Sequence, residues 1–300
     1  MRAGRGAPSV GAMEMDRRRL LRRISQAAAV TACGALAATG PGRRPAPPPV
    51  RPAPLPPTAA GVSARTVAAA APAVGWYAPP PPIVPRAQWQ TDGRPPPPPA
   101  QYTRGVRAVF IHHTDGGNGY RHTDVPAIIR GIYGDHHDGR DWDDIGYNFL
   151  VDRNGTIYEG RHGGVDRPVV GAHTLGFNHE TVGIAAIGTY RTGEPVPWPV
   201  VDAIAAIAAW KLGRYGVDPR GTAELTSTND ASRFRAGTRH VFPAVSGHRD
   251  AFCTLCPGEA LYAALPAIRE RAARLQGRPR PPEPGPAAPA DVAFKRRGRR

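Results

Sequence analysis

Residues 147–159 read YNFLVDRNGTIYE. Tyr147–Val151 is aromatic and aliphatic, Asp152-Arg153-Asn154-Gly155 interrupts it, and Thr156–Glu159 resumes it. Asn-Gly between two β-rich runs predicts a β-hairpin. Working outward, Val106–His112 (VRAVFIH) and Thr181–Ile187 (TVGIAAI) read as buried strands, and Val241–Val245 as a further strand delivering Gly247-His248. Helical signals lie between them. Thr123-Asp124 can cap a helix through Ile128, Ile129, Ile132 and Tyr133. Residues 199–215 place Val200, Ile204, Ile207, Ala208 and Leu212 on one face. A last helix begins near Pro257-Gly258-Glu259 and runs to Leu275, with Leu261, Leu265 and Ile268 inward. Strands interleaved with helices predict an α/β fold, a single domain over 82–275 with a central mixed β-sheet flanked by helices. The polar stretch GDHHDGRDWDD (134–144) reads as a solvated loop, and 217–239, which lacks periodicity, as a long surface loop.

The rest of the chain differs in composition. Of 36 prolines in 300 residues, many fall between Pro41 and Pro99, so an extended, solvated linker is expected over 39–81 and a disordered basic tail over 276–300. The net charge of +15 belongs to these flanks: residues 1–82 carry +9, residues 276–300 carry +5, and 83–275 only +1. A nearly neutral domain argues against nucleic-acid binding. Basic flanks fit loose attraction to anionic wall polymers or lipid head groups. Residues 1–38 resemble an export signal of the twin-arginine type, with translation starting at Met1, Met13 or Met15. Arg17-Arg18-Arg19 and Arg22-Arg23 precede or open an Ala-rich apolar run to Ala38, with Ala35-Leu36-Ala37 as a cleavage site. That run is short against the about 20 residues of a membrane span, and no later segment is long and apolar enough. A secreted, extracytoplasmic protein is expected; Cys33, in VTAC (30–33), is either discarded with the signal or a lipid-anchor site.

Three residues far apart in sequence could carry chemistry together. His112 and His248 each end a predicted strand, where side chains can project into a cleft, and Cys256 precedes Pro257 at a predicted helix start, a position that favours a thiolate. A lone strand-end histidine is usually a hydrogen-bonded core residue. If the three converge, they form an N/N/S set with a fourth tetrahedral position open, the catalytic form of a zinc site, in which bound water ionises near pH 7. Cys253 and Cys256 also form a C-x-x-C, so a disulfide or a thiol-exchange role is a competing reading in an exported chain. His113 must point opposite to His112 on a strand. Asp135, Asp138, Asp141, Asp143 and Asp144 do not match the spacing of an EF-hand calcium loop. Tyr147 could hydrogen-bond a metal-bound water or a developing oxyanion, or be an ordinary strand tyrosine; the Thr254 hydroxyl could face the same point.

Five blocks, IVPRAQW (83–89), VFIHHTDG (109–116), DIGYNFLVDRNGTIYEGR (144–161), GAHTLGFNHETVGIAAIG (171–188) and SGHRDAFCTLCPG (246–258), resemble in order the peptidoglycan recognition protein family, in the superfamily of type-2 N-acetylmuramoyl-L-alanine amidases that includes bacteriophage enzymes. The resemblance covers nearly all of 83–275. It implies an α/β fold with a substrate groove over the sheet and a Zn2+ ion at its floor held by His112, His248 and Cys256. It also implies Tyr147 as a catalytic residue, and Thr254 at the position two before the ligand cysteine, where phage members carry lysine. His113, His173, Asn178 and Arg249 are placed as substrate-binding candidates. Members that only bind peptidoglycan typically lack the cysteine or the tyrosine; this chain has both, so the resemblance implies a hydrolase, with a non-catalytic binding module as the alternative. Cys253 stands where animal members usually have proline, which raises a Cys253–Cys256 disulfide as a way to disable the site.

Overall fold

The computed structural model describes residues 75–94 and 96–280. The expected export signal with Cys33, the linker before residue 75 and the tail beyond 280 lie outside the described residues. Within them, a six-stranded sheet is built from β1 (Ile83–Val84), β2 (Ala108–His113), β3 (Phe149–Val151), β4 (Ile157–Glu159), β5 (Thr181–Ala186) and β8 (Val245–Gly247). A separate two-stranded sheet joins β6 (Thr222–Thr226) and β7 (Arg239–Pro243). The helices are α1 (Val125–Arg140), α2 (Trp198–Gly213), a four-residue α3 (His248–Ala251), α4 (Glu259–Ala263) and α5 (Leu265–Leu275).

The large sheet runs β1-β4-β3-β5-β2-β8, parallel throughout except for the β3–β4 pair. That pair is the expected hairpin, with Val151 opposite Ile157. Its turn is organised by Asp152, whose buried carboxylate accepts N–H bonds from Asn154 and Thr156, both at 2.9 Å, while Gly155 takes φ 84°. Parallel strands need crossover connections and both faces covered, so β2 and β5 are mostly apolar and are buried along their whole length.

Alternation divides β2 between two faces. Val109 and Ile111 pack with Phe149, Val182 and Ile184 against α2 and α5. Ala108 and Phe110 turn to the other face, against Phe177, Ala223, Leu225 and Phe242 of the β6–β7 hairpin and its surroundings. Next to that cluster, Leu150 and Tyr158 meet Val125, Ile129 and Tyr133 of α1. The hairpin and α1 therefore flank the second face, and His112, in register with Phe110, lies on it. Helix α2 is buried on almost every side and not on one stripe, because its alanines let the sheet and α5 approach closely. The outer margin of the sheet at β8 is short and is tied to α5, where Arg269 Nε donates to Val245 O at 2.9 Å.

Four local expectations change. Helix α1 continues through 134–140, so this stretch is not a solvated loop; His136 is buried on it. Residues 217–239 contain strand β6, whose alternation buries Ala223 and Leu225. The strand expected at 241–245 is two strands, broken at Ala244, one in each sheet. The last helix is split at Ala264, beside Pro266, into α4 and α5.

Candidate metal centre

Strand register assembles the first half of the site. Ile111 pairs with Gly247, so the next residue on each chain brings His112 beside His248, with ring centroids 4.5 Å apart. His248 opens α3, and the chain then loops back to place Cys256 over the end of β2. The loop is fixed by two hydrogen bonds: Arg249 N–H donates to the Cys256 carbonyl at 3.0 Å, and Cys256 N–H donates to the Thr254 side-chain Oγ1 at 3.2 Å. The His113 N–H donates to Cys256 Sγ at 3.3 Å. One ligand atom from each of His112, His248 and Cys256 lies within 4.8 Å of the others, and among the described residues this is the group of His, Cys, Asp and Glu side chains that could hold a metal ion. His112 Nδ1 is 3.8 Å from Cys256 Sγ. Zinc–nitrogen and zinc–sulfur bonds at tetrahedral angles set such a pair about 3.6 Å apart. The donor set and its spacing therefore fit a zinc ion.

The electrostatics agree. Burial, then the neighbouring histidines, holds His112 well below the usual imidazole range, and burial lowers His248 to about 4. Both rings are neutral at pH 7 and can offer lone pairs. Burial raises the Cys256 thiol to about 12, outweighing the bond from His113 N–H. The expectation of a thiolate stabilised by a helix start is corrected here. The nearest following helix, α4, begins only at Glu259 and is five residues long, and desolvation dominates. A cation is what would draw the proton from this sulfur. Cys256 is a free thiol, so the Cys253–Cys256 disulfide is not formed.

Tyr147 stands at the entrance to β3, its ring 5.3 Å from that of His112 and 5.5 Å from that of His136. Burial, with Cys256 nearby, pushes its phenol above the ordinary value of 10, so it keeps its proton. The approach to Tyr147 is anchored on both sides. Upstream, the fully buried Asp144 receives Arg86 through two nitrogens at 2.6 and 3.2 Å, and Gly146 N–H donates to His136 Nδ1 at 3.1 Å. Downstream, Arg161 N–H donates to Tyr147 O at 2.8 Å. Asp144 thus belongs to an ion pair with Arg86, and Asp138 meets Arg94 at 2.7 Å.

The substrate-binding candidates lie as follows. His173 is buried directly behind His112, its Nδ1 3.3 Å from His112 Nε2. Asn178 is engaged inward, its Oδ1 accepting the N–H groups of His173 and Thr174 at 2.9 Å each. His113 is buried, with Nδ1 accepting the Tyr190 N–H at 3.4 Å. Arg249 pairs with Glu259 at 3.2 Å and covers the Tyr262 ring. Thr174 and Thr181 contact site residues without being sequence candidates, and His136, expected in a solvated loop, faces Tyr147 from α1; the helical spacing from Ile129 and Tyr133 to His136 is the signal for it.

Residues 92–259, more than half of the chain, match the family model described as N-acetylmuramoyl-L-alanine amidase. The chain belongs to that family. It is 32% identical over 160 residues to human peptidoglycan recognition protein 3, covering 52% of this chain and 38% of that protein. It is 31% identical over 173 residues to a human N-acetylmuramoyl-L-alanine amidase, covering 57% of this chain and 26% of that one. The chain thus spans well under half the length of both relatives. Among solved structures, Drosophila PGRP-LB is 29% identical, with a TM-score of 0.47, covering 61% of this chain and 91% of that one. Proteins similar to this chain therefore include one named for amidase activity and one named for recognition.

Proposed function

We propose that this chain is a zinc-dependent N-acetylmuramoyl-L-alanine amidase, which hydrolyses the amide joining the lactyl group of N-acetylmuramic acid to L-alanine in peptidoglycan. The observation that carries the reading is the convergence of His112, His248 and Cys256, with Tyr147 beside them. His112, His248 and Cys256 would hold the ion. Bound there, zinc supplies Lewis acidity toward the carbonyl and an ionisable water. The neutral imidazoles of His112 and His248 have lone pairs to offer an ion, and the His113 N–H steadies the sulfur of Cys256. Tyr147, protonated at neutral pH, can donate to the oxygen of the amide as negative charge grows on it. The Thr254 hydroxyl accepts from Cys256 N–H and so holds the loop, with its own hydrogen available for a weaker bond to the substrate.

We further propose that the protein acts outside the cytoplasm, where basic residues of the flanks would attract anionic wall polymers. Among the described residues, no helix is long and apolar enough to cross a membrane.

The test is mass analysis of purified peptidoglycan after digestion with and without a chelator. Release of free stem peptides that stops with chelator and returns with zinc is expected. Muropeptide binding with no release at any zinc concentration would overturn the hydrolase reading and leave a recognition module.

A further inference from the structure

Behind His112 lies a group of buried side chains, His173, Thr174 and Thr181. The His173 ring occupies space left open by two glycines: a Cβ at Gly171 or at Gly183 would overlap it. Its Nε2 is 3.5 Å from Thr181 Oγ1, and its Nδ1 is 2.9 Å from Thr174 Oγ1 and 3.3 Å from His112 Nε2. Thr174 Oγ1 is also 3.4 Å from His112 Nε2.

These contacts allow the hydrogens to be placed by elimination. Phe177 O can only accept, and Thr181 Oγ1 lies 2.6 Å from it, so the threonine hydrogen is committed there. What Thr181 offers His173 is a lone pair, which favours the His173 tautomer with its hydrogen on Nε2. A neutral imidazole then has a bare Nδ1, which can only accept. Two groups face that nitrogen. The Thr174 hydroxyl, the closer, donates to it and is left with a lone pair toward His112. Whether His112 Nε2 bonds to His173 Nδ1 or to Thr174 Oγ1, it must be the donor.

We propose that His173, itself fixed by Thr181, is a positioning residue that places the hydrogen of His112 on Nε2, so that Nδ1 faces Cys256 and His248 bare before any ion arrives. The role is that of an outer partner that sets the tautomer and ring angle of a metal-ligating histidine. It extends the zinc reading given above. It also accounts for the paired glycines: side chains at 171 or 183 would displace the ring that the chain of hydrogen bonds runs through.

Two measurements test this on the full chain without peptidoglycan. The first is the long-range proton–nitrogen correlation spectrum of the metal-free protein labelled in histidine, with His112 assigned by its absence in His112→Gln. His112 is expected as the Nε2–H form; finding Nδ1–H would overturn the proposal. The second is zinc affinity by chelator competition in His173→Phe, Thr181→Val and Thr181→Ser, each checked for folding by thermal unfolding. His173→Phe should bind zinc about 10–100-fold more weakly. Thr181→Val should fall between it and the parent, and Thr181→Ser, which keeps the hydroxyl, should match the parent. Parent-like affinity in folded His173→Phe or in folded Thr181→Val would overturn the assignment. If His173→Phe does not fold, the Val and Ser pair and the parent spectrum decide. A protein with the expected tautomer and affinities that releases no stem peptide would sink the amidase reading alone.

Discussion

A phenol kept protonated beside two neutral imidazoles and a thiol is the chemical heart of the site, and each member is separately testable. Tyr147→Phe removes one hydroxyl and leaves the ring that packs on His112 and His136. Its kcat for stem-peptide release should fall about 10²–10³-fold, as expected for a lost oxyanion donor, while zinc content by elemental analysis stays at the parent level. Equal turnover in that variant would remove Tyr147 from the chemistry. Cys256→Ala should lose zinc on dialysis, with activity lost in parallel; full occupancy would mean the ion sits elsewhere. The strand-end places of His112 and His248 are legible in the sequence, but their meeting with Cys256 is not: position alone leaves it open, the family resemblance implies it, and the fold brings the three ligand atoms within 4.8 Å. The inward roles of His173 and Asn178 are not legible either. A histidine in a loop shows no sign of which way it faces until the glycines opposite it, at 171 and 183, are known to be its neighbours.

At the level of elements, two buried carboxylates hold the segments around β3. Asp144 balances Arg86, so Arg86→Ala would strand a buried charge, and a loss of about 3–5 kcal/mol in denaturant unfolding is expected. Asp152 serves the β3–β4 turn through the N–H groups of Asn154 and Thr156. Asp152→Ala should cost about 1 kcal/mol by leaving two part-buried N–H donors without their acceptor, with little effect on zinc affinity. The hairpin itself was plain from Asn-Gly, but the work of Asp152 was not, since a turn aspartate and a solvated one look alike in sequence. Strand β6 was missed for a related reason: its Thr-Ala-Glu-Leu-Thr alternation is short and Leu225 is its one large apolar residue. The length of α1 was missed because polar residues at 134–140 concealed that His136 continues the apolar face begun by Ile129 and Tyr133.

For the molecule as a whole, the buried histidines link folding to pH. In the metal-free protein burial holds His136 and His248 at about 4 and His173 at about 3, against an ordinary 6.5. Below pH 6.5 the unfolded chain takes up protons that the folded chain refuses. Stability is therefore full above 6.5 and is lost as pH falls toward 4, by at most about 1.4 kcal/mol per pH unit for each histidine. Urea midpoints measured with chelator between pH 8 and pH 4.5 should show this decline; a flat profile would mean that these rings protonate freely in the fold. Zinc should raise the midpoint, and more so at higher pH, because binding must displace the thiol proton.

The margins of the large sheet have a consequence for crowding. One border is the two-residue β1 and the other the three-residue β8, whose carbonyl at Val245 is already taken by Arg269. Neither border presents a row of vacant amides long enough to recruit a strand from another molecule. High local concentration would therefore not seed ribbon-like self-association through either of these borders.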